Sequence, residues 1–438
     1  MAEAYIGPGV EAEVTVSPTL VAGASVNRVA YFTGTGSDTL QKTVLLTRDA
    51  TSYIDELDPT GTSVVSVYPL ALYPPYAASQ YELTGGNLQW IDTTGCPAAN
   101  AQYYVSYVYN KSDADYTPKE FTNIDDFVTQ YGAISTDNPL SIAASLCFDN
   151  GTTVVGAVQI DPDISEYTAH KNALALLEVV EDAKVIVPIY ASTSFATAEL
   201  KPHVLRMSTK VEKKYRVGLQ GLDETTEVIA AATWKSLAEG LATNRVGLVY
   251  PGSIQVTLAE GEVTLDGTYL AAAIAGIMTA SGYDAATPIT GADIAGIVSV
   301  QINMNNAAKD LLAGYGVMIV DMKGTQPYIR HGLTTDMTTV TGQEITVTTG
   351  IDQCIMNVSN GLAGYTKRTK SVRSTPGHIA ASFNNLLRID KKNEIITDFR
   401  NDTAFVDPTE PRRVICRAEV YPVFGVNWVT LQIVLNVF

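Results

Sequence analysis

Both ends of the chain alternate with the period of a β-strand. Near the N-terminus, Val10, Ala12, Val14 and Val16 alternate with Glu11, Glu13, Thr15 and Ser17. Near the C-terminus, Val429, Leu431, Ile433, Leu435 and Val437 alternate with Trp428, Thr430, Gln432, Val434 and Asn436, and the pattern runs to Phe438. Period-two alternation marks a strand with one buried face. Chain ends fray unless something ties them down. A strand at each tip therefore asks for a partner edge. That edge lies in a sheet of the same subunit or, by strand exchange, in a neighbour, which links copies into a lattice.

The 438 residues are enough for two to four domains and a large core. A hydrophobic content of 46% against 17% charged residues describes a folded chain. The longest apolar stretch, Tyr269 to Met278, is shorter than the ~20 residues a bilayer requires. The opening residues MAEAYIGPGVEAE have no basic and no apolar signal region, so no signal peptide is read. The net charge of −17 argues against a general nucleic-acid binder, which needs a basic footprint. It suits solubility in a protein made in many copies.

Punctuation and periodicity divide the chain. Residues 1–25 form an N-terminal arm broken by Gly7, Pro8 and Gly9. Residues 26–36 and 116–340 form an α/β domain, and residues 37–115 a β-sandwich or barrel inserted into it. Residues 341–425 form a C-terminal α+β domain with one helix near 376–390, and residues 426–438 a terminal strand. The inserted domain is read from β-branched and aromatic runs such as Tyr103 to Tyr109, set between Pro, Gly, Asn and Asp clusters. In the α/β part, short apolar runs (Val154–Ile160, Val185–Ile189, around Val217, Val246–Tyr250) alternate with helical patterns at 164–181, 196–214 and 224–243. Such runs predict a parallel sheet with helices on both faces. Thr122 with Asp125 predicts a capping box, and Asn138-Pro139 a helix start that ends at Gly151.

Candidate chemistry is sparse. Cys96, Cys147, Cys354 and Cys416 are far apart and read as free thiols; His170, His203, His331 and His378 show no zinc spacing. Asp161 and Asp163 flank Pro162 in what reads as a capping turn rather than a cation site. Gly34 and Gly36 follow a strand, but Thr39 replaces the third glycine of a dinucleotide fingerprint. No phosphate loop or nucleophile elbow occurs. A triad of His203, Asp223 and a serine can be drawn on paper, with no motif to place it. The expectation is therefore no catalytic residue, no cofactor and no metal. One cluster stands out in this acidic chain: Lys367, Arg368, Lys370 and Arg373. It reads either as a solvated loop or as a contact with an acidic partner, setting register and association rate.

Several segments together resemble the contractile tail sheath proteins of bacteriophages and related contractile injection particles. They are Pro8-Gly9-Val10, Ser25 to Gly34, Phe121 to Gly132, Asn138 to Gly151, Val249-Tyr250-Pro251, Ala272 to Gly276, and Leu311 to Ile319 with Gly314 and Gly316. The resemblance covers most of residues 8–340; after residue 341 the chain departs from the family's usual pattern. It implies a structural subunit that polymerises into stacked rings around a tail tube protein, with baseplate and tail terminator proteins as further partners. It implies terminal arms that add strands to sheets of neighbours, and a contraction that drives the tube through a host envelope. The C-terminal domain would then lie nearest the tube. The location implied is the virion tail, after assembly in the host cytoplasm, with no membrane insertion and no nucleic-acid contact. Two other classes remain open. An α/β metabolic enzyme requires a pocket with convergent titratable groups and leaves the terminal strands unexplained. Another lattice protein, a tube subunit or a surface-layer protein, should be shorter and nearly all β, or carry an export signal.

Overall fold

The computed structural model describes residues 28–70, 74–112, 116–222, 231–301, 304–368 and 375–427. After Arg28 the chain enters β1 (Val29–Gly34), whose six residues are all buried. Ala30 and Phe32 face one apolar core and Val29 and Tyr31 the other, so both faces of this strand are covered. Its lack of polar alternation follows from that double burial.

Residues 39–110 then leave the sheet and return to it. β2 (Thr39–Thr47), β4 (Gly61–Pro69) and β7 (Gln102–Asn110) make one antiparallel sheet; β3 (Ile54–Asp55), β5 (Tyr81–Thr84) and β6 (Asn87–Trp90) make another. The two share a core built on Trp90, Tyr103, Val105 and Tyr107. Trp90 Nε1 donates to Asp55 Oδ2 at 3.3 Å, so the buried indole is satisfied.

The chain resumes the large sheet with β8 (Lys119–Phe121), then α1 (Ile124–Tyr131), α2 (Pro139–Asp149), β9 (Val155–Gln159), α3 (Glu166–Leu177) and β10 (Ala183–Pro188). A continuous helical run follows: α4 (Thr193–Phe195), a π turn over Ala196–Leu200, and α5 (Lys201–Met207). Next come β11 (Val217–Gln220), α6 (Ala231–Leu241), β12 (Val246–Tyr250), the hairpin β13 (Ser253–Leu258) and β14 (Gly261–Asp266), and α7 (Gly267–Thr279). Then β15 (Ser299–Val300) joins the hairpin, and α8 (Asn306–Ala313) leads into β16 (Val317–Lys323) and β17 (Gln326–Ile329). The order is β17-β16-β12-β11-β10-β1-β9-β8. Pairing is parallel from β16 to β9, but β17 and β8 are antiparallel. The expected parallel core is thus a mixed sheet. β17 returns against β16 through a two-residue hairpin, which permits only antiparallel pairing, whereas β8 reaches the antiparallel edge beside β9 although α1 and α2 lie between them in the chain.

The long apolar stretch Tyr269 to Met278 lies in α7, every residue of which is buried against α2 and the sheet. No helix among the described residues is long and apolar enough to cross a membrane. Local expectations need three adjustments. The cap of α1 is Asn123, not Thr122: its Oδ1 accepts from Asp126 N at 2.8 Å. Asp161 Oδ1 accepts from Asp163 N at 2.9 Å in a turn, and Ser165 is the residue that caps α3. The helix expected over 196–214 begins at Thr193 and ends at Met207.

The C-terminal region differs most from expectation. In place of one helix, it holds α9 (Val340–Gln343), α10 (Ile345–Arg368) and α11 (Thr375–Lys392), followed by β18 (Ile396–Val406) and β19 (Val414–Pro422). The β-branched start ITVTT suggests a strand, but Ile351, Cys354, Ile355, Val358 and Leu362 recur at helical spacing, and burial of that stripe overrides propensity.

Candidate assembly site

The alternating arm residues Val10, Ala12, Val14, Val16, Val429, Leu431, Ile433, Leu435 and Val437 lie outside the described residues. Lys367 and Arg368 end α10; their side chains, and Lys370 and Arg373, also lie outside. What the structure describes is the residues adjoining these segments, Arg28 and Gly425 to Asn427, here called stems, and a two-stranded sheet.

That sheet is the β18–β19 ribbon. Among the described residues neither strand pairs with a third. Ala418 and Val420 face inward onto Val358, Leu362, Phe383 and Leu387 of α10 and α11. Arg417, Glu419 and Tyr421 face out, with the Arg400 guanidinium 5.3 Å from the Tyr421 ring centre. A two-stranded ribbon is marginal alone, and a strand edge without a neighbour is a template for pairing with another chain.

α10 joins this unit to the large sheet. Its first residue, Ile345, belongs to the main core, whereas Cys354, Val358 and Leu362 belong to the C-terminal one. Between them Asp352 takes a bidentate pair from Arg245, at 2.6 and 2.8 Å. Burial works against the Arg245 charge, but Asp352 outweighs it and the net shift of its pKa is upward.

The stems are held close to the start of α10. Arg28 Nη1 donates to Tyr283 O at 3.4 Å, beside Asp284. At the other end, Gly425 N donates to Glu344 Oε2 at 3.4 Å and Asn427 Nδ2 to Glu344 Oε1 at 2.5 Å. Asn427 Nδ2 is also 3.1 Å from His331 Nε2. Burial raises the Glu344 pKa, but the hydrogen bonds from His331, Asn427 and the Gly425 amide prevail and lower it.

An enzyme-like crevice also exists. At the carboxyl ends of β1 and β10, where the strand order reverses, a cavity of about 450 Å³ is lined by Glu166, Tyr167, His170, Tyr190, Ser192 and Phe195. Such a position holds the ligand in many open α/β sheets. Here His170 is fully buried with Nδ1 2.7 Å from Thr33 Oγ1, and burial pulls its pKa down to about 4. Ser192 Oγ caps α4 by accepting from Phe195 N at 3.3 Å, so it is not paired with the imidazole. The His203 of the paper triad is elsewhere: Arg216 Nη1 donates to its Nε2 at 3.0 Å, and burial, Arg216 and Arg206 pull its pKa down to about 3. Asp223 lies outside the described residues. Among the described residues no group of three or more His, Cys, Asp or Glu side chains could hold a metal ion.

No protein-family model matches the sequence, and no curated protein matches it. Solved structures do match. The helical sheath of the anti-feeding prophage in its contracted state aligns over 99% of this chain and 100% of that chain, at 12% identity and a TM-score of 0.62. The contracted sheath complex of an extracellular contractile injection system aligns over 100% and 99%, at 11% identity and 0.60. The chain has the fold of contractile sheath proteins. A sheath tail protein from Listeria innocua aligns over 92% of this chain and 94% of its own, at 11% identity and 0.51. Within this sheath fold, the residues that sequence reasoning missed are those holding the stems: Arg28, Asp284, His331 and Glu344. They are single polar residues scattered over 300 positions, and only the fold brings them near one another.

Proposed function

We propose that this chain is the structural subunit of a contractile tail sheath. It polymerises around an inner tail tube by exchange of its terminal strands, with the baseplate and the tail terminator bounding the polymer, in a virion tail or a related injection particle. The observation that carries this reading is the β18–β19 ribbon, whose two outer edges pair with no third described strand. Both chain ends carry the alternation of an added strand. The sheath fold over nearly the whole chain supports it. Strand addition joins copies through backbone hydrogen bonds, with alternate side chains giving register. The contraction energy is stored in the assembled lattice, a metastable state held by its barrier, so that no nucleotide is consumed. Domains then turn as rigid bodies while the strands stay joined. The C-terminal unit faces the tube, and Lys367, Arg368, Lys370 and Arg373 contact the tube or an acidic neighbour.

Electron microscopy of the purified full chain tests this. Striated tubes are expected, with or without an inner tube present. Monodisperse monomers under all assembly conditions would contradict it.

A further inference from the structure

The two stems leave the molecule through one block of structure. Arg28 lies in a cleft walled by Ile277, Tyr283, Asp284, Thr287, Ile289 and Thr346. Gly425 lies against the next residue of that same wall: a side-chain carbon built at Gly425 would stand 3.2 Å from Pro288 Cβ. Its amide meets Glu344, two residues from the Thr346 that walls Arg28. The loop over 283–290 and the start of α10 are themselves fastened together. Thr349 Oγ1 donates to Ala285 O at 2.6 Å. Gly350 approaches Ala286 so closely that an added Cβ would be 2.9 Å from the Ala286 Cβ. Gly332 completes the block, accepting from Ile345 N at 3.1 Å and donating to Thr290 Oγ1 at 3.1 Å.

We propose that the loop 283–290 and the first turns of α10 form one anchor shared by both arms. A neighbouring copy that pulls on one arm then acts on the other arm directly, and through α10 on the β18–β19 ribbon, beside the covalent path from Arg28 into β1. The partners are further copies of this chain. The inference rests on the strand-exchange reading above and adds to it where tension runs within a subunit. Side chains packed against a common, rigid wall respond together, because a shift that accommodates one displaces the other. Residues with shared neighbours show non-additive effects.

The test is the critical concentration for polymerisation, read by pelleting, for Arg28→Met, Asn427→Ala and their combination. Both side chains are partly buried, so the melting of each monomer is measured beside its polymerisation. Each single change is expected to raise the critical concentration at least tenfold. The combination should raise it clearly less than the product of the two factors. Wild-type polymerisation by either single variant, or factors that multiply, would overturn the shared anchor. Where a variant's melting shifts, Glu344→Gln replaces Asn427→Ala and is judged by the same product rule. A wild-type chain that does not polymerise at all would instead refute the sheath reading itself.

Discussion

At the scale of residues, Gly276 shows how closely the main core is assembled. A methyl group there would stand 2.5 Å from Cys147 O and 2.9 Å from Cys147 Cα, so α7 and α2 touch backbone to backbone. Neither helix can retreat, since both are buried against the sheet. Gly276→Ala should destabilise the fold by about 2–3 kcal/mol, the scale of overpacking in a dense core. A urea midpoint equal to wild type would show that the helices can part. Asp390 makes a second residue-scale prediction. It is fully buried, accepting from Cys354 Sγ at 2.8 Å and Asn357 Nδ2 at 3.0 Å. Burial pushes its pKa up to about 6, against those hydrogen bonds. The folded state therefore holds this proton more tightly than the unfolded chain, whose carboxyl titrates near ~4. Protonation favours folding, so this group adds stability as the pH falls from about 6 to 4, and the addition is lost as the pH rises again. The change amounts to about 3 kcal/mol. His170 and His203, buried and neutral, act in the opposite direction, so the comparison must be with Asp390→Asn. The difference in stability between wild type and that variant should change between pH 7 and pH 4.5; parallel profiles would contradict the assignment.

At the scale of elements, what was legible depended on whether one period ruled a segment. The parallel strands β9, β10 and β12 are short apolar runs between helical patterns, and they stand where the runs stand. α10 was misread because β-branched Ile345, Val347 and Thr348 precede its helical stripe. The β13–β14 hairpin went unread, although Ile254, Val256, Val263 and Leu265 alternate around Glu260-Gly261. A glycine with φ of 120° allows that turn. Of the candidate site, the arms rest on alternation alone and lie outside the described residues. Their stems could not be read that way, because Arg28 and Asp284 are distant in sequence and no local pattern joins them. The prediction belonging here concerns the arms themselves. Deleting residues 1–18 should leave a folded, soluble monomer that forms no tubes. Leu431→Asp or Ile433→Asp should act likewise, since a charge on the buried face of an added strand lacks a partner. Size-exclusion profiles with electron microscopy check both; normal tubes from any of the three variants would contradict the face assignment.

At the scale of the whole molecule, charge and connectivity separate two jobs. The chain carries −17 in all, yet four cations fall between Lys367 and Arg373, the first two of them ending α10. Charge pairs at an interface set encounter rate and register and weaken with ionic strength. Reversing two of these charges should slow decoration of purified tubes and flatten its salt dependence, while tube-free polymers still form. Wild-type decoration across a salt series would return the cluster to a solvated loop. In the proposed assembly the β18–β19 ribbon is completed by strands from other copies. Cryo-electron microscopy of the assembled polymer tests it most directly. A sheet of more than two strands is expected, in which residues 10–17 and 428–438 of neighbouring subunits extend the ribbon. Ribbon edges left bare in the polymer, or both segments folded back on their own subunit, would contradict it.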